Sequence, residues 1–278
     1  MKTILAPTDF SASSINAVNY AADLALAVGA QLVLCNAVQF PIAVSEINVP
    51  AIVMDNLIEM GNEELEALTD SLKIRTRNKI SISSEVLYGQ VEQQIELMSS
   101  KKKPLAIVMG IKPGKSFERA LLGSTIFHTI NYIPYPLLII PEHVRFSSIR
   151  EIGLACDLKN INDVMPFDNI KEWLSLFKAR LHIIYVSVEN KTFKADQLSE
   201  SISIQNRFTS FNPQFHFLEG QNLTDELNDF SKLHHLDLLI VIPRTYGIFR
   251  YFHKKHSRNL ISHIQIPVLS IHDFPVRK

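Results

Sequence analysis

The same pattern of buried strands and amphipathic helices runs through this chain twice. KTILAPTDF (Lys2–Phe10) is answered by IREIGLACDL (Ile149–Leu158), with Asp157 at the position of Asp9. QLVLCNAV (Gln31–Val38) is answered by LHIIYVSV (Leu181–Val188), and LAIVMG (Leu105–Gly110) by LDLLIVIP (Leu236–Pro243). PLLIIP (Pro136–Pro141) is answered by IPVLSI (Ile266–Ile271). Short apolar runs bounded by turn residues are strands buried on both faces. A repeat of about 130–150 residues is a duplicated domain, not a solenoid. The polar connection VRFSSIRE separates residues 1–143 from residues 144–278, two domains in a chain of 278.

Helical patterns separate the strands. Ile15, Val18, Ala22, Ala25 and Leu26 recur at helical spacing after Ser11, Ser13 and Ser14, and Gly29 stops the helix. A long amphipathic helix is expected from about Ala51 to Arg77, a strand over Ile80–Tyr88 and a helix over Gln90–Ser99. Met165–Lys178 answers the first helix, and the second copy is shorter between its second and third strands. Alternating strands and helices imply parallel sheets covered on both faces. The expected fold class is therefore α/β, two tandem doubly wound parallel five-stranded sheets. An unpaired edge strand is normally covered. PLLIIP and IPVLSI pairing antiparallel in one molecule would make the chain a pseudo-dimer.

The stretch MGIKPGKSFERALLGST (Met109–Thr125) stands out. It leaves a buried strand, passes through glycines, and opens a helix at Gly123-Ser124-Thr125. Glycine lets backbone approach a ligand, and a helix start presents unpaired N–H groups with partial positive charge. The combination describes an anion cradle suited to phosphate; an ordinary strand–loop–helix turn uses the same residues.

Three pieces of the first copy resemble the universal stress protein family. Pro7-Thr8-Asp9 ends the first strand, Gly110, Gly123 and Ser124 keep the frame G-x-x-G-x9-G-[ST], and PLLIIP resembles the closing strand. The resemblance covers nearly the whole chain as two tandem units. It implies that Asp9, Ala37 and Val38, beside Pro7, Thr8 and Met109, hold an adenosine. It further implies that Gly110, Lys112, Gly114, Gly123, Ser124 and Thr125 hold phosphates. One departure is Pro113, where the family has its second glycine; Gly114 follows one place later. Proline has no N–H, so that slot lacks a donor. Asp9 also suits a helix N-cap, and the two roles are compatible. The second copy has Pro243, Tyr246 and His256 at the three glycine positions and keeps only Asp157 and Ser257, so its site is expected to be lost.

Other signals exclude more than they suggest. The net charge is zero and no apolar run reaches ~18 residues, so neither nucleic acid nor membrane is an expected partner. No h-region with a small-residue cleavage site follows Met1, and Cys35 and Cys156 sit in apolar runs, so a cytoplasmic protein with two buried thiols is expected. GIKPGKS fails the P-loop pattern because Met109 stands where glycine is required. His234, His235, His253, His256 and His263 crowd the second copy without carboxylate or cysteine at metal-ligand spacing, and no metal site is expected. The basic, aromatic segment around them reads as a loop whose rings fold onto the domain. No nucleophile–base–acid set appears.

The resemblance implies a universal stress protein that binds an adenine nucleotide, ATP with a magnesium ion, in the first domain. It would act in stress response by a nucleotide-dependent change in partner binding, without turnover. A homodimer or a protein partner fits that role. Two other readings stay open: an interaction protein with both sites vestigial, and a weak ATP hydrolase.

Overall fold

A computed structural model describes residues 1–39, 51–111, 124–156, 161–187, 195–219, 223–243 and 264–271. The chain divides into two compact units, one ending at Phe146 and the other beginning at Ser147.

In the first unit β1 (Thr3–Pro7), α1 (Ala12–Val28), β2 (Gln31–Val38), α2 (Ala51–Arg75) and β3 (Ile82–Tyr88) come first. Then follow α3 (Val91–Lys102), β4 (Ala106–Ile111), α4 (Ser124–Tyr132) and β5 (Leu137–Pro141). The strand order is β3-β2-β1-β4-β5, all parallel, as the apolar runs imply. Helix α1 starts where Ser11 caps it, its hydroxyl accepting from Ser14 N at 3.4 Å. It stops at Gly29, whose φ of 65° is a left-handed conformation that glycine takes without strain. Helix α3 runs past the expected end at Ser99 to Lys102, and Lys101 and Lys102 in its last turn suit its C-terminal dipole.

Asn16 ties α1 to the exit of β5. Its side-chain amide donates to Pro141 O at 3.1 Å and Val144 O at 2.9 Å, and Arg145 donates to its oxygen. These bonds give side-chain donors to backbone carbonyls where the chain leaves β5, beside the backbone bond from Val144 N to Pro141 O at 3.0 Å.

In the second unit β6 (Glu151–Cys156), α5 (Ile161–Val164), α6 (Phe167–Phe177), β7 (Arg180–Ser187) and α7 (Ala195–Arg207) precede a 3-10 turn. β8 (Gln214–Glu219), α8 (Leu223–Leu233), β9 (Leu238–Val241) and β10 (Val268–Ser270) follow. The order β10-β9-β6-β7-β8 is the first unit's order, again parallel. Helix α7 fills the stretch read as merely shorter in the sequence. Its pattern, ADQLSESISIQNR, is too polar to stand out, although Ile204 and the following Phe208 are fully buried. Both cysteines are buried and neither forms a disulfide.

Burial, followed by the neighbouring imidazoles of His182 and His234, pushes His216 of β8 down to about 4. An unfolded chain with an imidazole near 6.5 takes up that proton first as pH falls. The second unit should therefore lose stability between about pH 6.5 and about pH 4. Fluorescence of Trp173, the sole tryptophan and a buried residue of α6, reads that unit during urea unfolding. The midpoint should fall across this range, and His216→Gln should flatten the slope; an unchanged slope in the variant would refute the assignment.

Candidate functional site

The first unit's strand order reverses between β1 and β4, which lie side by side while their onward helices diverge. In open parallel sheets a crevice opens beyond the carboxyl ends of the strands at such a point. A cleft of about 250 Å³ lies there. Pro7, Asp9, Ala37, Met109, Gly110 and Thr125 line it, with apolar Leu87, Val91 and Ile95 beneath.

The β1–α1 turn is built by its own side chains. Thr8 is buried; its hydroxyl pairs with that of Ser14 at 3.0 Å and accepts from Phe10 N at 3.0 Å. Thr8 N donates to Cys35 O at 2.8 Å, and Asn36 donates to Thr8 O at 2.8 Å. These bonds hold Phe10 at φ 60°, which a non-glycine residue adopts only under such support. Asp9 Oδ1 accepts from Ser11 N at 3.0 Å. The N-cap is thus Ser11, not Asp9, and the aspartate shapes the turn before it. Burial opposes ionisation of Asp9, but hydrogen bonds from Ser11 and Ser14 outweigh it and hold the carboxyl below its usual range. Asp9 is exposed and presents a fixed negative charge at the cleft.

Gly110 has a packing reason for being glycine. A Cβ there would stand 2.0 Å from Ser13 O and 2.5 Å from Ser13 C, inside the backbone of α1. The absent side chain lets β4 and the start of α1 close on each other. Met109 and Gly110 are half-buried on the cleft wall.

At the start of α4, Thr125 Oγ1 donates to Glu92 Oε1 at 3.1 Å and Ser124 Oγ to the same oxygen at 3.4 Å. Glu92 belongs to the first turn of α3. A carboxylate therefore already accepts from the two hydroxyls at this helix N-terminus, as an anion does. Glu92 carried no signal in the sequence, since its partners lie 32 and 33 residues away.

The cleft brings together Pro7, Thr8, Asp9, Ala37, Met109, Gly110 and Thr125. Val38 stands outside the lining, its carbonyl accepting from Gly89 N at 3.0 Å. Ser124 stands beside it, on Glu92. Lys112, Gly114 and Gly123, together with Pro113, fall outside the described residues, as do Asp157, Tyr246, His253, His256, Ser257 and His263 of the second unit.

The universal stress protein family model matches residues 1–141. No curated protein matches the chain. Among solved structures, a universal stress protein from Archaeoglobus fulgidus DSM 4304 is similar at 16% identity with a TM-score of 0.72, covering 98% of each chain. A putative universal stress protein from Pseudomonas aeruginosa UCBPP-PA14 follows at 13% identity and a TM-score of 0.57, covering 98% of this chain and 93% of that one. At such identities the likeness speaks for the fold alone, here across both units. The family model carries the identification, since its match takes in all five strands of the first unit and half of the sequence: the chain belongs to the universal stress protein family.

Proposed function

We propose that the first unit binds one adenine nucleotide, ATP with a magnesium ion, in the cleft at the carboxyl ends of β1, β2 and β4. The protein then acts by changing its affinity for a partner, without turnover. The observation that carries this reading is the convergence of Asp9, Ala37, Met109 and Gly110 on one cleft at the strand-order reversal.

The lining suits a nucleoside. Ala37 and Met109 offer apolar walls to a base, and the ionised Asp9 is an acceptor for ribose hydroxyls or an exocyclic amine. By the family resemblance the phosphates would meet Ser124 and Thr125, with Lys112, Gly114 and Gly123 of the preceding stretch. Glu92 now holds those hydroxyls, so a phosphate entering there has to displace a like charge. A divalent ion carried on the phosphates would offset that repulsion.

Equilibrium dialysis of the full chain with labelled ATP tests this, with phosphate release measured alongside. One nucleotide per chain is expected. Asp9→Ala should weaken binding at least about tenfold, about 1.4 kcal/mol. Asp9→Asn keeps an acceptor for Ser11 N and so separates the charge from the turn. Absence of saturable binding would favour the nucleotide-free reading, steady phosphate release the hydrolase reading, and two equivalent sites would contradict a lost second site.

A further inference from the structure

Three histidines meet in the second unit, far apart in sequence. His182 is the third residue of β7, His216 the third of β8, and His234 follows the last turn of α8. The register pairs His182 with Gly153 on one side and Gln214 on the other, and Glu151 with Arg180. Period-two alternation therefore sets Glu151, His182 and His216 on one face of the sheet. The end of α8 lies over that face: His234 stacks on Phe230 with ring centroids 4.2 Å apart, and His216 lies 4.7 Å from His234.

The nitrogens converge. One ring nitrogen from each of the three histidines lies within 4.8 Å of the other two. His182 Nδ1 and His216 Nε2 are 3.0 Å apart. Nitrogens sharing a tetrahedral zinc ion at ~2.1 Å bonds stand ~3.4 Å apart. His182 and His216 are already near that spacing, and His234, half-buried at the helix end, has a nitrogen within 4.8 Å of both.

The other nitrogen of the central ring is also committed. His182 Nε2 lies 2.9 Å from Glu151 Oε2, and both residues are buried. Arg180 donates to the second oxygen of Glu151. A carboxylate accepting from Nε2–H fixes the tautomer that leaves a lone pair on Nδ1, aimed at His216. This is how metal-bound histidines are generally oriented. The frame is tied down as well: Asp237 Oδ2 accepts from Glu151 N at 3.0 Å, and Asp237 N donates to Glu151 O at 2.9 Å.

We propose that His182, His216 and His234 bind a divalent transition-metal ion of the zinc class, with Glu151 orienting His182 from behind. Three neutral imidazoles suit such an ion and leave a fourth position for water or an anion. Binding forms three nitrogen–metal bonds and breaks the His182–His216 hydrogen bond; the proton that His216 Nε2 donates there passes through solvent to Nδ1 of the same ring, and no redox step is involved. The site stands in the second unit and is independent of the nucleotide reading of the first.

The test titrates EDTA-stripped full-length protein with Zn²⁺ in competition with a chromophoric chelator, and records Co²⁺ absorption spectra in parallel. One tight ion per chain is expected, with the visible bands of four- or five-coordinate Co²⁺. His216→Ala and His234→Ala should each weaken Zn²⁺ at least about a hundredfold, and Glu151→Gln about ten- to a hundredfold. His235→Ala, one residue beyond the cluster, should bind as wild type. Trp173 fluorescence checks that each variant is folded. Because His234 is half-exposed, its variant keeps the test decisive if His216→Ala unfolds. Wild-type affinity in folded His234→Ala, or no stoichiometric binding by the wild-type chain, would overturn the proposal.

Discussion

Gly110→Ala should destabilise the first unit by about 2–4 kcal/mol, a large effect for one methyl group. The new Cβ would lie 2.0 Å from Ser13 O, and that obstacle is helix backbone at the first turn of α1. Relief requires moving α1 away from β4, which opens the packing of Val18 and Ala22 against the sheet. Urea unfolding followed by far-UV circular dichroism reads the change; with a slope near 2 kcal/mol/M the midpoint of the first unit drops by roughly 1–2 M. Gly153→Ala in β6 is the matched control. Its Cβ would meet Leu236 Cδ1 at 2.7 Å and Ile184 Cδ1 at 3.0 Å, the tips of side chains that can rotate aside. That variant should lose about 1 kcal/mol or less. Equal losses in both would refute the distinction between backbone and side-chain obstruction. A Gly110→Ala protein as stable as wild type would refute the packing itself.

Trp173→Ala should cost the second unit about 3–5 kcal/mol. Trp173 is only 1% exposed and stacks on Phe177 with centroids 6.0 Å apart. Truncation leaves a cavity that the neighbouring fully buried Ile170 and Leu174 cannot fill without moving α6. The variant loses its fluorescent probe, so dichroism again provides the measurement. A midpoint shift corresponding to less than about 1 kcal/mol would show that α6 can collapse onto the sheet.

Both predictions rest on a fold that was largely legible. Eight largely apolar runs of six to ten residues set the identity of eight of the ten described strands, because a strand buried on both faces is apolar along its buried length. The duplication then supplied the parallel order twice over. Boundaries moved by up to three residues where capping decided them, as when Ser11 rather than Asp9 capped α1 and α3 ran on to Lys102. Helix α7 was missed, since a helix with one narrow buried stripe reads locally as a polar connection.

The candidate sites were less legible. The family resemblance pointed to Pro7, Asp9, Ala37, Met109 and Gly110, at or near strand ends, and the cleft gathers them. Only the packed structure supplied Glu92, which reaches Ser124 and Thr125 from another helix, and the reason Gly110 carries no side chain. The histidine cluster shows the same limit. The sequence directed attention to neighbours such as His234, His253 and His256, where spacing can be read. The convergence instead joins His182, His216 and His234 to Glu151 across three strands and a helix end. Local pattern determines whether a segment is strand or helix because hydrophobic burial acts on successive residues. Ligand geometry depends on which strands become neighbours and in what register, a tertiary outcome that no local spacing encodes.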